Sequence, residues 1–150
     1  MTRLRLRTLG SDHVQTPTAP FMSRLRSLVP LTPYEEQFIE TLQLPPHAFE
    51  AGAYVHRGGD LDFTPWIVGA GWACRLRVLP DGRGQTVSFF LPGDTIGLSE
   101  VHHPAIQSTI LAMTDLKLLN CTRLAEAIDR ADQNVPNVIQ ACRMSFIWMQ

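Results

Sequence analysis

Residues 79–98 read LPDGRGQTVSFFLPGDTIGL. Pro80-Asp81-Gly82 is a tight-turn signal, and Pro92-Gly93-Asp94 is a second one twelve residues on. Glycine supplies the positive φ that such turns need without a steric penalty. Between the turns, Val87, Phe89 and Leu91 alternate with other residues, the period of a strand. A hairpin and a glycine-set turn therefore fall within twenty residues, which points to a compact antiparallel β-architecture.

The pattern extends on both sides. Turn signals recur at Ala51-Gly52, Gly58-Gly59-Asp60 and Gly69-Ala70-Gly71. In Trp72–Val78, the residues Trp72, Cys74, Leu76 and Val78 face one side and Arg75 and Arg77 the other, which reads as an apolar face and a solvated face. Arg83 continues the basic face into the turn. Residues 108–113 and 116–121 supply two further strands, with Thr114-Asp115 between them. Helices flank this β-region. Residues 22–29 form a short candidate. Thr32 is the expected N-cap of the next helix, with Pro33 in its first position and Glu35 and Glu36 in its first turn. Phe38, Ile39 and Leu42 give it an apolar face, and Pro45 and Pro46 end it. Thr122 opens a helix that runs through Asp129. A last helix begins at Val135, where Val135, Ile139, Cys142, Phe146 and Met149 follow the spacing of a coiled-coil seam. Val138, Ala141, Ser145 and Trp148 form a second stripe. One stripe can cover the β-region, and the other is expected at a homodimer interface.

The chain has 150 residues, a formal net charge of −1 and three cysteines. That length fits one domain with a sizeable core. The balanced charge gives no overall basic field for nucleic acid. No apolar run is long enough for a membrane span, and no signal-peptide core precedes a cleavage site. Three unpaired cysteines suggest free thiols in a reducing, cytoplasmic setting. Cys74, Cys121 and Cys142 each sit in an apolar pattern and read as core residues. Residues 1–20 are expected to be a disordered tail, with Met22 as an alternative start.

From Phe21 onward the chain resembles the β-roll of cyclic-nucleotide-binding domains, and most closely the sensor half of Crp/Fnr transcription regulators. The resemblance implies a mainly β fold with flanking helices: an antiparallel double-stranded β-helix (β-roll or jelly roll) over residues 21–134, then a dimerisation helix starting within 135–150. It also implies a nucleotide cassette after the Pro-Gly-Asp turn, in which backbone N–H groups, a Glu and an Arg-Ser or Arg-Thr pair hold the ligand. Here the cassette runs from Gly97 to Thr109, and the ligand-contacting set is Gly97, Leu98, Ser99, Glu100, Gln107, Ser108 and Thr109. Gly97 and Ser108 match, but Leu98 replaces the Glu and Gln107 replaces the Arg. Hydrogen bonds to charged groups contribute about 1.5–3 kcal/mol each, so cyclic AMP is expected to bind weakly.

The expected function is effector sensing and dimerisation for a Crp/Fnr-like regulator, with an unknown small-molecule effector. The winged helix of that family is absent from these residues, so the chain is expected to be a truncated or stand-alone sensor without specific DNA binding. Two alternatives stay open. One is a ligand-free scaffold or remnant. The other is a haem-based gas sensor, for which His102 and His103 lie in the right neighbourhood. An iron–sulfur type is excluded by the lack of cysteines before Cys74. A cupin-type metal enzyme needs a His-x-His pair and a later His, and none follows His103. With no nucleophile–base pair either, the chain is read as a non-enzyme without a metal site.

Overall fold

The computed structural model describes residues 16–42, 45–98 and 109–148, with side chains to residue 145. The elements in order are α1 (Ala19–Leu28), α2 (Pro33–Glu40), β1 (His47–Phe49), β2 (Tyr54–His56), β3 (Trp66–Ala70), β4 (Ala73–Val78), β5 (Gly84–Phe90), β6 (Thr95–Ile96), β7 (Thr109–Ala112), β8 (Leu116–Asn120), α3 (Thr122–Asp129) and α4 (Pro136–Trp148). The strands form two antiparallel sheets, ordered β1-β8-β3-β6 and β2-β7-β4-β5. Apart from the β4-β5 hairpin, chain-consecutive strands pass from one sheet to the other, as in a β-roll.

Two apolar cores result. The first lies between the sheets and is built from Trp66, Val68, Ala73, Phe90, Ile96, Ile110, Ala112, Leu116 and Leu118. The second lies outside the β1-β8-β3-β6 sheet, where Ile67, Leu119 and Cys121 meet α1, α2, α3 and α4. A sheet residue pointing inward joins the first core, and its chain neighbour joins the second. Ile67 and Val68 show this directly, since they belong to different cores.

The turns form where the glycines are. Gly82 has φ +84°, its N–H donates to the Leu79 carbonyl at 2.9 Å, and Asp81 accepts from the Arg83 N–H at 3.0 Å. Thr32 caps α2 as expected: its hydroxyl accepts from the Glu35 N–H at 3.2 Å, and Glu35 Oε1 accepts from the Thr32 N–H at 3.1 Å.

Two expectations are corrected. The boundary at residue 20 falls inside a packed helix, because α1 begins at Ala19 and Thr18 before it is buried. The face assignment of β4 and β5 is reversed. Ala73 pairs with Phe90 and Ala112, and Arg75 with Ser88 and Ile110, so these residues face the inter-sheet core. Val78, Val87, Phe89 and Leu91 point outward, with Phe89 56% and Val87 51% exposed. Both faces of this hairpin carry apolar residues, so alternation alone does not fix which one is buried. The inner face is set by the small Ala73 and Ala112, which leave room for Phe90.

Candidate functional site

The Pro92-Gly93-Asp94 turn is fixed from three sides. Gly93 has φ +92°, its N–H donates to the Val68 carbonyl at 2.8 Å, and the Val68 N–H donates to the Asp94 carbonyl at 2.9 Å. Asp94 Oδ2 accepts from the Leu91 N–H at 2.6 Å. The third tie is long-range. Arg24 of α1 forms an ion pair with Asp94 Oδ1 and donates to the Gly93 carbonyl at 3.1 Å. A side chain at position 93 would press on the Pro20 carbonyl at 3.0 Å. The segment leading into the cassette is therefore clamped to the N-terminal helix.

Gly97 follows β6 with φ +73°. The Phe63 ring lies so close that a Cβ on Gly97 would stand 1.8 Å from Cζ. Phe63 in turn meets His56 edge-to-face at 5.0 Å. Leu98 is only 6% exposed, and it lies in the helix-side core with Leu25 of α1 and Val138 and Ile139 of α4. Thr109 sits next to Ile110, which points into the roll, and its own hydroxyl accepts from the Gly58 N–H at 3.0 Å. Ser99, Glu100, Gln107 and Ser108 lie outside the described residues, as do His102 and His103. Of the seven expected ligand residues the structure thus places three, and they go three ways: Gly97 to the Phe63 ring, Leu98 to the helices, Thr109 to a loop.

The expected dimer seam is also informative. Val135, Ile139 and Cys142 are buried against the chain's own helices, together with Val138 and Ala141 of the second stripe. Both stripes of this part of α4 are covered within one chain, so these three residues do not wait for a partner. The side chain of Phe146 and all of Met149 lie outside the described residues.

The start of α4 is held by Glu35, which is 0% exposed. Its carboxylate accepts from Asn137 Nδ2 at 2.7 Å and from the Val138 N–H at 2.9 Å, besides capping its own helix. One anion thus faces the N-termini of α2 and α4, where the helix dipoles favour it. Burial alone would raise its pKa, but the hydrogen bonds from Asn137, Val138 and Thr32 outweigh burial and lower it. The thiols behave oppositely. Burial pushes Cys142 up to about 12 and raises Cys121 and Cys74 as well, with Cys142 adding to the effect at Cys121. Such thiols are packing groups. Sequence reasoning missed Arg24 and Phe63, which no local pattern marks, and it missed the reach of Glu35 to α4, whose residues lie far along the chain.

The comparisons agree with this architecture. The family described as "Cyclic nucleotide-binding domain" matches residues 46–125. Among solved structures, the N-terminal domain of a transcriptional regulator from Streptomyces coelicolor A3(2) is 18% identical, with a TM-score of 0.62 over 85% of this chain and 91% of that one. The sensor domain of the transcriptional regulator DNR from Pseudomonas aeruginosa is 18% identical, with a TM-score of 0.61 over 84% of this chain and 83% of that one. The Thermus thermophilus Catabolite Activator Protein is 21% identical, with a TM-score of 0.60; the match covers 84% of this chain and 60% of that one. These neighbours are Crp/Fnr-type transcriptional regulators, and at such identities they show a shared fold. No curated protein matches the chain by sequence. Among the described residues, no helix is long and apolar enough to cross a membrane.

Proposed function

This chain belongs to the cyclic nucleotide-binding domain family, and from that premise we propose that it is the effector-sensing and dimerisation part of a Crp/Fnr-like transcription regulator that binds cyclic AMP only weakly. The observation that carries the reading is the place of Leu98. The family resemblance puts a ribose-holding Glu at this position. Here the side chain is apolar and buried in the helix-side core. It offers a nucleotide no polar contact, yet it belongs to the same buried cluster as Val138 and Ile139 of the C-terminal helix.

In this scheme a small molecule enters the roll beside Gly97 and shifts the cassette. The shift is passed through Leu98 to α4 and through Asp94 and Arg24 to α1. It signals only if the effector binds one helix arrangement better than the other. Dimerisation through α4 belongs to the same reading. Val135, Ile139 and Cys142 are already covered within the chain, so that contact is not assigned to these three residues. Sequence-specific DNA binding is not assigned to these residues.

Titration calorimetry with cyclic AMP tests the proposal. Losing one charge-assisted contact weakens binding about tenfold or more, and two are replaced here. No saturation is expected at micromolar nucleotide. A micromolar or tighter dissociation constant would overturn the reading.

A further inference from the structure

The two sheets differ in what covers their outer faces. The β1-β8-β3-β6 sheet carries the helices, whereas among the described residues the outer face of β2-β7-β4-β5 lies open. One rung crosses that open face. Tyr54 lies opposite Leu111, Leu111 opposite Cys74, and Cys74 opposite Phe89. Residues paired across strands project from the same face. Their chain neighbours Ala73, Phe90, Ile110 and Ala112 belong to the inter-sheet core, so this rung points outward. Trp72 meets Phe89 edge-to-face at 5.6 Å, and Met113 Sδ lies 3.4 Å from Cys74 Sγ, which widens the patch. A sheet face left to water is normally polar. This rung has no charged member, and Tyr54, Phe89 and Met113 are each roughly half exposed. A contiguous exposed apolar patch marks a contact surface.

We infer that the chain's own first residues cover this face, with Leu4 and Leu6 set against it. Three observations choose this occupant. The first is size. A few half-exposed side chains of this bulk leave about 400 Å² open, against about 800 Å² per partner in a stable complex. Such a patch is too small to hold a free partner. A segment tethered to the same domain acts at an effective concentration of about a millimolar, so a smaller contact holds it. The second is position. Pro17 packs on Gly69, where an added Cβ would stand 3.1 Å from Pro17 Cβ, and the Pro20 carbonyl closes on Gly93. Gly93 is two residues past Leu91, which points outward just beyond β5. Thr16 therefore lies near the end of the hairpin that carries the face. Fifteen residues precede Thr16 in the sequence, a reach of about 50 Å when extended. The seven residues of β5 span about 23 Å. The third is pattern. Arg3, Leu4, Arg5, Leu6 and Arg7 alternate with the period of a strand. Laid along the sheet, the leucines meet the apolar rung and the arginines stay in water. The contact is independent of any effector in the roll.

The test is paramagnetic relaxation in 1H–15N spectra of the whole chain. A nitroxide is attached at Arg5→Cys, on the side left in water, while the native cysteines are buried and stay unlabelled. The amides of Tyr54, Leu111, Cys74 and Phe89 are expected to lose most of their intensity, and those of α2 and α3, behind the other sheet, to keep it. Leu4→Ser combined with Leu6→Ser should restore the lost intensity. Spin-labelled chain without 15N, mixed with unlabelled 15N chain, should cause no such loss. Each variant's spectrum serves as its own control of folding. Full intensity on the face, or a loss that survives the two serines, overturns the proposal. A loss in the mixed sample overturns it as well and makes a second copy the occupant.

Discussion

Replacing Glu35 by alanine deletes a buried carboxylate that joins helices a hundred residues apart in the chain. The side chain accepts three hydrogen bonds, from the Thr32 N–H, Asn137 Nδ2 and the Val138 N–H. Bonds to charged acceptors contribute about 1.5–3 kcal/mol each, but they are not additive. Asn137 is half-buried and can turn to water, so its share is small. Val138 is fully buried, and its orphaned N–H costs about 1–3 kcal/mol. Loss of the capping box adds about 1 kcal/mol. The expected destabilisation is roughly 3–4 kcal/mol, or roughly 10 °C in melting temperature for a domain of this size. Glu35→Gln keeps the shape but turns an amide donor toward donors, and should cost about half as much. Urea unfolding followed by tryptophan fluorescence measures both. The carboxyl pKa is lower in the folded chain than in the unfolded one. Its stabilisation is therefore complete above the ordinary carboxylate range and is lost as pH falls through the folded value. Glu35→Gln should flatten that part of the acid limb. A loss below about 1 kcal/mol for Glu35→Ala, or an unchanged acid limb in Glu35→Gln, would refute the reasoning.

Two further outcomes follow from the geometry. Gly97→Ala drives a methyl into the Phe63 ring and forces a side chain at φ +73°, so thermal melting should show a loss of about 2–4 kcal/mol. Phe63→Ala added to it should recover the steric part and leave about 1–2 kcal/mol of backbone strain. Cys121 and Cys142, with thiol pKa values raised by burial, should not react with Ellman's reagent at pH 8 in the folded chain. Their reaction should appear only as urea unfolds it, and a native reaction at the rate of a free thiol would contradict their placement.

What the sequence made legible was mostly local. Glycines at forced positive φ mark the turns, and Thr32 with Glu35 marks a helix start, because both signals act within four residues. An antiparallel roll follows from that punctuation, and the family resemblance narrows it to the cyclic-nucleotide-binding fold. Burial of the hairpin faces did not follow, since β4 and β5 carry apolar residues on both sides and only pairing with β7 chooses between them. For the same reason Arg75 reads as solvent-facing in the sequence and points inward in the fold. The α4 seam fits a heptad, but the spacing is equally satisfied by α1 and α2 of the same chain. In the cassette, the substitution at Leu98 is visible from the resemblance. Its burial among the helices is a tertiary fact, as are the ties from Arg24 to Asp94 and from Glu35 to Val138.

Gly97 and Leu98 are neighbours in the chain but stand in different compartments. The Gly97 backbone touches Phe63, which packs on the inter-sheet core, while the Leu98 side chain belongs to the helix-side core. The wall between the compartments is here one rigid, planar peptide group, about 3.8 Å from one Cα to the next. Dense packing on either side leaves that plate little slack. A tilt imposed at its Gly97 end would move its Leu98 end by a comparable amount, with no long relay of side chains in between.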